Sequence, residues 1–313
     1  MRFALMTEPQ QGLSYEEILA IARAAEAAGF EAFFRSDHFG SFPQSATLPT
    51  TDAWATLAGL ARETQRIRIG ALVSPVTFRI PGAFAKLVAT VQEMSGGRVE
   101  AGVGAGWNEV EHAQIGIPYP ETRERVDQLE EELQILHGLW EGPDGWSFVG
   151  THWQVIDSRF MVRPVPRPNI ILGGSGKPRS LELGARYADE YNMSSSTPEE
   201  CRAAFERLAE ACVSVGRDAG SVTRSVMAGC VVGRDDADLR ERAAALIAFV
   251  AAPGTDPVKW IEDRRERWII GTPDAARARL AEFVAAGAER IVLQDFLPRD
   301  LEHVKVMAEI FFG

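Results

Sequence analysis

The chain has 313 residues, of which 46% are hydrophobic and 25% are charged, so it can bury the core of one large globular domain or of two ordinary ones. Its formal net charge of -11 argues against nucleic acid or an anionic membrane as a partner. No apolar run approaches the roughly 20 residues of a membrane-spanning helix, and residues 1–6 lead into strand-like sequence rather than a long apolar signal, so we expect a cytoplasmic protein.

The first half of the chain alternates strand and helix signals without a long linker. Ser14 predicts an N-cap, and Glu17 completes a capping box for a helix that stops at Gly29. Asp52 predicts a second N-cap. The predicted strands cover 2–7, 30–35, 67–73 and 98–103, and the predicted helices cover 15–28, 53–63, 81–94 and 123–140.

The second half repeats this alternation with two interruptions. Residues 146–162 are rich in β-branched and aromatic side chains around Gly150, which predicts a hairpin. Residues 253–270 show no clear pattern, which indicates a lid or an insertion. The predicted strands cover 169–172, 188–193, 225–232 and 290–294, and the predicted helices cover 179–186, 198–216, 235–250, 272–286 and the last residues of the chain.

Eight pairs of strand and helix predict a (β/α)8 TIM barrel that forms one domain over 1–313, with insertions at about 145–168 and 253–270. A doubly wound parallel sheet is the alternative. The barrel is favoured because unusual polar and glycine residues follow four predicted strands, at 37–38, 73–75, 104–109 and 173–177. Barrel enzymes build their sites from the loops at these carboxyl ends.

The stretch 99–111, V-E-A-G-V-G-A-G-W-N-E-V-E, reads as a buried strand that runs into a glycine-rich turn. Gly102, Gly104 and Gly106 permit positive φ angles and a close approach of the backbone to a flat or anionic ligand, which predicts a cofactor site. The alternative is a tight turn from strand to helix whose glycines serve packing only.

The chain resembles the luciferase-like monooxygenase superfamily and, within it, the branch that uses the deazaflavin F420. The resemblance rests on S-D-H-F, R-I-G-A-L-V-S-P-V-T-F-R-I-P, S-G-G-R-V-E-A-G-V-G-A-G-W-N-E-V-E-H, E-R-V-D-Q-L-E-E and I-L-G-G-S-G. These motifs follow one another at family-like spacing over nearly all of residues 1–195. The C-terminal third matches only loosely, through G-T-P-D and R-I-V-L-Q.

The resemblance implies roles for residues at two strand ends. His38 would lie beside the reactive ring of F420 and relay a proton, and Asp37 would orient His38 or cap its loop. Leu72 and Val73, followed by Ser74, match the place where the family has a cis peptide without proline under the ring. The structural alternatives are a histidine with satisfied hydrogen bonds and an ordinary trans strand end.

Two glycine loops complete the site that the resemblance implies. The first would contact the ring edge and the polyol chain through Gly104, Ala105, Gly106, Trp107 and Asn108. The second would open a helix and bind the cofactor phosphate through Gly173, Gly174, Ser175, Gly176 and the charge of Lys177. A glycine-rich turn without a ligand is the alternative for the second loop.

One residue departs from the family pattern. The sugar-phosphate dehydrogenases of this branch have an acidic residue just after the first glycines, where this chain has Trp107. The difference puts a sugar-phosphate substrate in doubt and leaves Glu109 as a shifted candidate for a catalytic acid. Trp107 itself would form a wall of the substrate pocket, although most tryptophans belong to the core.

The resemblance implies an F420-dependent oxidoreductase that moves a hydride between C5 of the deazaflavin and a small organic substrate, in a homodimer. An FMN-dependent monooxygenase and a catalytically silent protein that binds flavin or F420 are the alternatives. The three cysteines are scattered, which predicts neither disulfides nor a zinc site. No cluster of residues has the spacing of metal ligands.

Overall fold

The computed structural model describes residues 1–41, 48–159, 162–250 and 255–313. Its strands in chain order are β1 (Arg2–Thr7), β2 (Ala32–Arg35), β3 (Arg68–Pro75), β4 (Val99–Gly104), β5 (Trp146–Val149), β6 (Gln154–Ser158), β7 (Asn169–Gly174), β8 (Glu190–Ser194), β9 (Thr223–Val232), β10 (Ile269–Gly271) and β11 (Arg290–Asp295). Eight of them pair in parallel in the order β9-β11-β1-β2-β3-β4-β7-β8, and β8 pairs with β9 again. This closure confirms the predicted (β/α)8 TIM barrel.

The helices lie mainly between the barrel strands. They are α1 (Tyr15–Ala28), α2 (Ala53–Glu63), α3 (Pro81–Ser95), α4 (Glu109–Ile115), α5 (Thr122–Glu141), α6 (Pro178–Tyr187), α7 (Pro198–Ser214), α8 (Asp236–Val250), α9 (Pro257–Glu262), α10 (Pro273–Ala285) and α11 (Leu301–Phe312), with 3-10 turns at Pro9–Gln11 and Ala219–Ser221. The predicted capping box is present, since the Glu17 N–H donates to Ser14 Oγ and the Ser14 N–H donates to the Glu17 carboxylate. Gly29 ends α1 in the left-handed region.

The two interruptions of the pattern have regular structure. Strands β5 and β6 pair antiparallel as the predicted hairpin, and residues 160 and 161 of its predicted range lie outside the described residues. In the range 253–270, residues 253 and 254 are not described either. The rest forms α9 and β10, and β10 extends the sheet by pairing with the end of β9. Short elements such as α4, α9 and β10 were not predicted, because they contain too few turns or pleats to show a period.

Apolar side chains alternate between the two faces of the barrel strands. Leu5 and Phe33 face the helices and belong to the large core, whereas their neighbours Met6 and Phe34 face the barrel interior. The interior core is small and contains Ala4, Met6, Ala32, Phe34, Leu72, Ile171 and Val292. In the part of the chain that the structure describes, no helix has both the length and the apolar character of a membrane span.

An ion-pair cluster fills the amino-terminal end of the barrel interior. Arg290 at the start of β11 is fully buried, and its Nη1 lies 2.6 Å from Glu100 on β4 and 2.9 Å from Glu190 on β8. Arg68 on β3 adds a second cation at 2.5 Å from Glu100. Because this end is closed by side chains, the space for a ligand lies at the carboxyl ends of the strands.

Candidate active site at the carboxyl end of the barrel

A cavity of about 830 Å³ opens at the carboxyl ends of the barrel strands. Its size fits a small-molecule ligand together with a cofactor ring. Most of the residues predicted for the site line it, namely His38, Leu72, Val73, Gly104, Ala105, Gly106, Trp107, Gly173, Gly174, Ser175 and Lys177. The structure thus brings together four loops that are far apart in the sequence.

His38 lies in the wall of this cavity and is held by a carboxylate. Its Nδ1 is 2.9 Å from Oε1 and 3.1 Å from Oε2 of Glu111, which is only 2% exposed. The Glu111 carboxylate also accepts hydrogen bonds from the N–H groups of Phe39 and Gly40. Since an ionised carboxylate only accepts hydrogen bonds, Nδ1 carries a proton, and Nε2 is the ring nitrogen that can act on a ligand.

The predicted role of Asp37 is corrected by this geometry. Glu111, not Asp37, orients His38. Asp37 is 1% exposed and accepts hydrogen bonds from Ser74 Oγ at 2.7 Å and from Arg79 Nη1 at 2.5 Å. Ser74 in turn accepts one from Trp54 Nε1 at 2.9 Å. Neither Asp37 nor Ser74 lines the cavity, so both hold strand ends together and do not reach a cofactor.

The end of β3 protrudes into the cavity at Val73. The peptide between Leu72 and Val73 is cis, as the family resemblance implies, and the pairing of β3 with β4 shifts between Ala71 and Ser74. A Cβ on Gly104 would lie 2.8 Å from the Val73 side chain, and a Cβ on Gly173 would lie 2.9 Å from it. These glycines therefore make room for Val73.

Positive φ angles were predicted for the three glycines of the first loop, and the structure shows one at a single position. Gly106 has a φ of 76°, whereas Gly102 and Gly104 are not in the positive region. A Cβ on Gly102 would lie 2.2 Å from the carbonyl oxygen of Ala71. Close packing of β4 on β3 explains Gly102, and a left-handed backbone explains Gly106.

The carboxylate that this part of the chain presents to the cavity is Glu111, two residues after the predicted Glu109. Glu109 begins α4 with an exposed side chain and does not line the cavity, and neither does Asn108, the N-cap of α4. Two residues on a helix point about 200° apart, so Glu109 faces outward when Glu111 faces His38. Glu109 therefore does not reach the cavity, and Glu111 is the carboxylate that holds His38. Recognising α4 would have revealed this difference.

The second glycine loop differs from its prediction at Gly176. Its N–H donates to the Tyr191 hydroxyl at 3.1 Å, and the residue is buried away from the cavity. Gly173, Gly174, Ser175 and Lys177 do line the cavity. Arg123 and Arg179 also line the cavity, and the sequence analysis predicted neither of them as a site residue.

The opposite wall was not predicted at all. Glu8 follows β1 directly and is 6% exposed. Its two oxygens accept hydrogen bonds from Gln10 Nε2 at 2.6 Å and from Gln294 Nε2 at 2.5 Å. Met227 and Phe296 lie on the same wall. Glu8 and Phe296 directly follow strand ends, which was the available signal, since the same rule identified the other four loops. Met227 lies in the middle of β9 and had no such signal.

A parallel barrel with a histidine–carboxylate pair beside a large cavity at its carboxyl end defines an α/β-barrel enzyme. The family model described as luciferase-like monooxygenase matches residues 1–290. The chain therefore belongs to the luciferase-like monooxygenase family, as its motifs predicted.

Named relatives fall within this family. The chain is 29% identical to the F420-dependent glucose-6-phosphate dehydrogenase of Microbacterium testaceum over 94% of this chain and 91% of that protein. It is 31% identical to the F420-dependent hydroxymycolic acid dehydrogenase of Mycobacterium tuberculosis over 77% of this chain and 66% of the relative. A solved F420-dependent secondary alcohol dehydrogenase shares the fold with a TM-score of 0.85 at 19% identity, covering 99% of this chain and 98% of that one.

Proposed function

We propose that this protein is an F420-dependent oxidoreductase that moves a hydride between the deazaflavin and a small organic substrate. The observation that carries the proposal is the position of His38, which Glu111 holds in the wall of a cavity large enough for the ring and a substrate. The names of the relatives of Microbacterium testaceum and Mycobacterium tuberculosis support the choice of cofactor.

The residues of the cavity fit this cofactor. Val73 with Gly104 and Gly173 forms an apolar surface of backbone and one side chain that suits a flat ring. At the other end of the same wall, Lys177 and Arg123 supply positive charge, and neither forms an ion pair within the described residues. Positive charge next to the first turn of α6 suits a phosphate.

When bound, F420 supplies a ring carbon that accepts or donates the hydride. The chain supplies placement and proton chemistry. Nε2 of His38 accepts the proton that the substrate loses, or donates the one that it gains, and the Glu111 carboxylate stabilises the imidazolium. Trp107, whose exposed ring lies edge-on at 5.6 Å from the His38 ring, forms the side of the cavity next to the pair.

The family name keeps an FMN-dependent monooxygenase as the second candidate function. Fluorescence titrations of the purified protein with F420 and with FMN separate the two. We expect clearly tighter binding of F420, and equal or preferred binding of FMN would overturn the assignment. A protein that binds F420 tightly but shows no turnover with any member of a broad substrate panel would be the silent binding protein.

Ser175→Asp is expected to weaken F420 binding by on the order of 1–3 kcal/mol, because a carboxylate would stand where the loop and the first turn of α6 face the phosphate. Ser175 is exposed and lines the cavity, so the fold should tolerate the change. The affinity is measured by fluorescence titration. Ser147→Asp, at an exposed serine on β5, is the matched control, and unchanged affinity in Ser175→Asp would move the phosphate site elsewhere.

We also propose a cytoplasmic homodimer, and this part of the proposal rests on the family resemblance. Light scattering coupled to size-exclusion chromatography measures the mass of the assembly directly. A mass near 34.3 kDa, that of one chain, would exclude the dimer.

A further inference from the structure

The two walls of the cavity differ in charge. The described lining residues include three basic side chains, namely Arg123 at the start of α5, Lys177 at the N-cap of α6 and Arg179 in the first turn of α6. This is the wall to which the proposed function assigns the cofactor phosphate. Arg179 is already paired with Asp127 and Glu130.

The opposite wall presents the Glu8 carboxylate to the cavity and no basic side chain among the described lining residues, although the buried guanidinium of Arg35 attracts Glu8 from behind the wall. Both oxygens of Glu8 accept hydrogen bonds from amides, the pattern of an ionised carboxylate. Glu8 forms no ion pair within the described residues. Arg267, the cation whose Nη1 reaches the rim at the Ser195 carbonyl oxygen, binds the Glu200 carboxylate with both terminal nitrogens, at 2.7 and 3.0 Å.

Beside Glu8 and uncharged polar side chains such as Gln294, this wall carries an apolar patch. Phe296 and Met227 line the cavity beside Met6. The Phe296 ring stacks on Trp268 at 5.1 Å with an interplanar angle of 4°, and Trp260 contacts Trp268 edge-on at 5.4 Å. The stacked rings fix the position of Phe296, so this part of the cavity favours a compact apolar group.

This inference rests on the proposed function. We propose that the substrate is an uncharged alcohol, or the matching carbonyl compound, whose carbon skeleton is compact and apolar, and that it is not a sugar phosphate or another anion. A dianionic phosphate against Met227 and Phe296 would be desolvated without a cation and would be repelled by Glu8. A hydroxyl group, in contrast, can donate to Glu8 or to Nε2 of His38. The chain thereby departs from the substrate named for its relative in Microbacterium testaceum.

The redox step requires only the deazaflavin as hydride carrier and His38 as proton carrier. In the oxidising direction, the carbinol C–H bond breaks and its electron pair leaves with the hydrogen as hydride to the deazaflavin. The hydroxyl O–H bond also breaks, its proton passes to Nε2 of His38, and the C–O double bond forms. Reduction of the carbonyl compound is the reverse, with the reduced deazaflavin as hydride donor.

The test compares substrates that differ in charge. Protein loaded with F420 is given pentan-2-ol or 4-hydroxypentanoate, which carries a carboxylate in place of the terminal methyl group, and glucose 6-phosphate and cyclohex-2-enone are added to the panel. Absorbance of F420 reports turnover, with reduced F420 for the enone. We expect kcat/KM for pentan-2-ol to exceed that for either anion by at least about tenfold.

Three outcomes would overturn the inference. Faster turnover of glucose 6-phosphate or 4-hydroxypentanoate would show that anions are accepted. Turnover of the enone alone, or of none of the four compounds despite tight F420 binding, would exclude the alcohol class while leaving the cofactor assignment intact. Failure to bind F420 in the titration would instead remove the proposed function and this inference with it.

Glu8→Gln tests the source of the discrimination. We expect the ratio of kcat/KM for pentan-2-ol over 4-hydroxypentanoate to fall by about tenfold, since the amide removes the repulsion and keeps the size. A merely structural defect would lower both values in parallel and leave the ratio unchanged, which would overturn the assignment to Glu8. Glu206→Gln, at an exposed carboxylate on α7, is the control whose ratio stays at the original value.

Discussion

His38→Ala is expected to slow the chemical step by about 10²–10⁴-fold, the range for loss of a general acid or base, while F420 affinity stays within a few fold. The two effects separate because the proposed phosphate contacts come from the loop between β7 and α6, whereas the proton chemistry comes from one nitrogen of His38. Single-turnover reduction or oxidation of F420, followed by its absorbance, measures the chemical step alone.

A structural histidine would produce the opposite pattern. Near-normal single-turnover rates in a less stable His38→Ala protein would show that the ring only holds its loop in place, so thermal melts of both proteins accompany the kinetics. Glu111→Gln provides a second test of the role of His38. As a positioning residue, Glu111 acts through His38, so Glu111→Gln should slow the step in the wild-type background and add little to His38→Ala.

The wild-type protein is expected to become less stable between pH 5 and pH 8, and Glu132→Gln is expected to abolish this decrease. Glu132 on α5 is 2% exposed, and its Oε2 has no hydrogen-bond partner within the described residues. Burial raises the pKa of this carboxyl from 4.5 to about 8, although Arg79 opposes the shift. The acid is therefore protonated in the folded protein at neutral pH and ionised in the unfolded chain.

The sign of the pH dependence follows from this raised pKa. The contribution of Glu132 is fully present below pH 4.5, and it declines as the pH rises toward 8, because the unfolded chain releases its proton first. The expected loss between pH 5 and pH 8 is about 3 kcal/mol, an order-of-magnitude figure.

Urea unfolding at both pH values measures the difference. Glu132→Gln should match the wild-type protein near pH 5 and be more stable at pH 8, while Glu124→Gln, at an exposed position of the same helix, should follow the wild-type protein throughout. An equal stability difference between Glu132→Gln and the wild-type protein at pH 5 and pH 8 would contradict the raised pKa.

The barrel could be predicted from the sequence because its signals are local. Capping residues such as Ser14 and Glu17, the glycine at 29 and the apolar periods of the long helices act within a few residues. Elements of three to seven residues, such as α4 and β10, lack such a period and appeared only in the structure. Glu111 was missed for this reason, since its orientation depends on the helix that carries it.

Strand ends rich in glycine and polar residues identified one wall of the site, because each motif is contiguous. His38, Val73, Gly104 and Ser175 were found in this way, and all line the cavity. The other wall carries no contiguous motif. Glu8 and Gln294 are 286 positions apart, and their hydrogen bond at 2.5 Å exists only because β1 and β11 are neighbours in the closed barrel.

The sequence by itself thus determined the order of strands and helices, the family and four of the loops that line the cavity, since these depend on periodicity and on short motifs. Only the tertiary structure decided which partner each polar group finds. It assigned Glu111 rather than Asp37 to His38, gave Asp37 to Arg79, and placed Glu8 opposite the basic wall with no ion pair among the described residues. These pairings depend on distances between elements that closure of the barrel sets, and no local pattern encodes them.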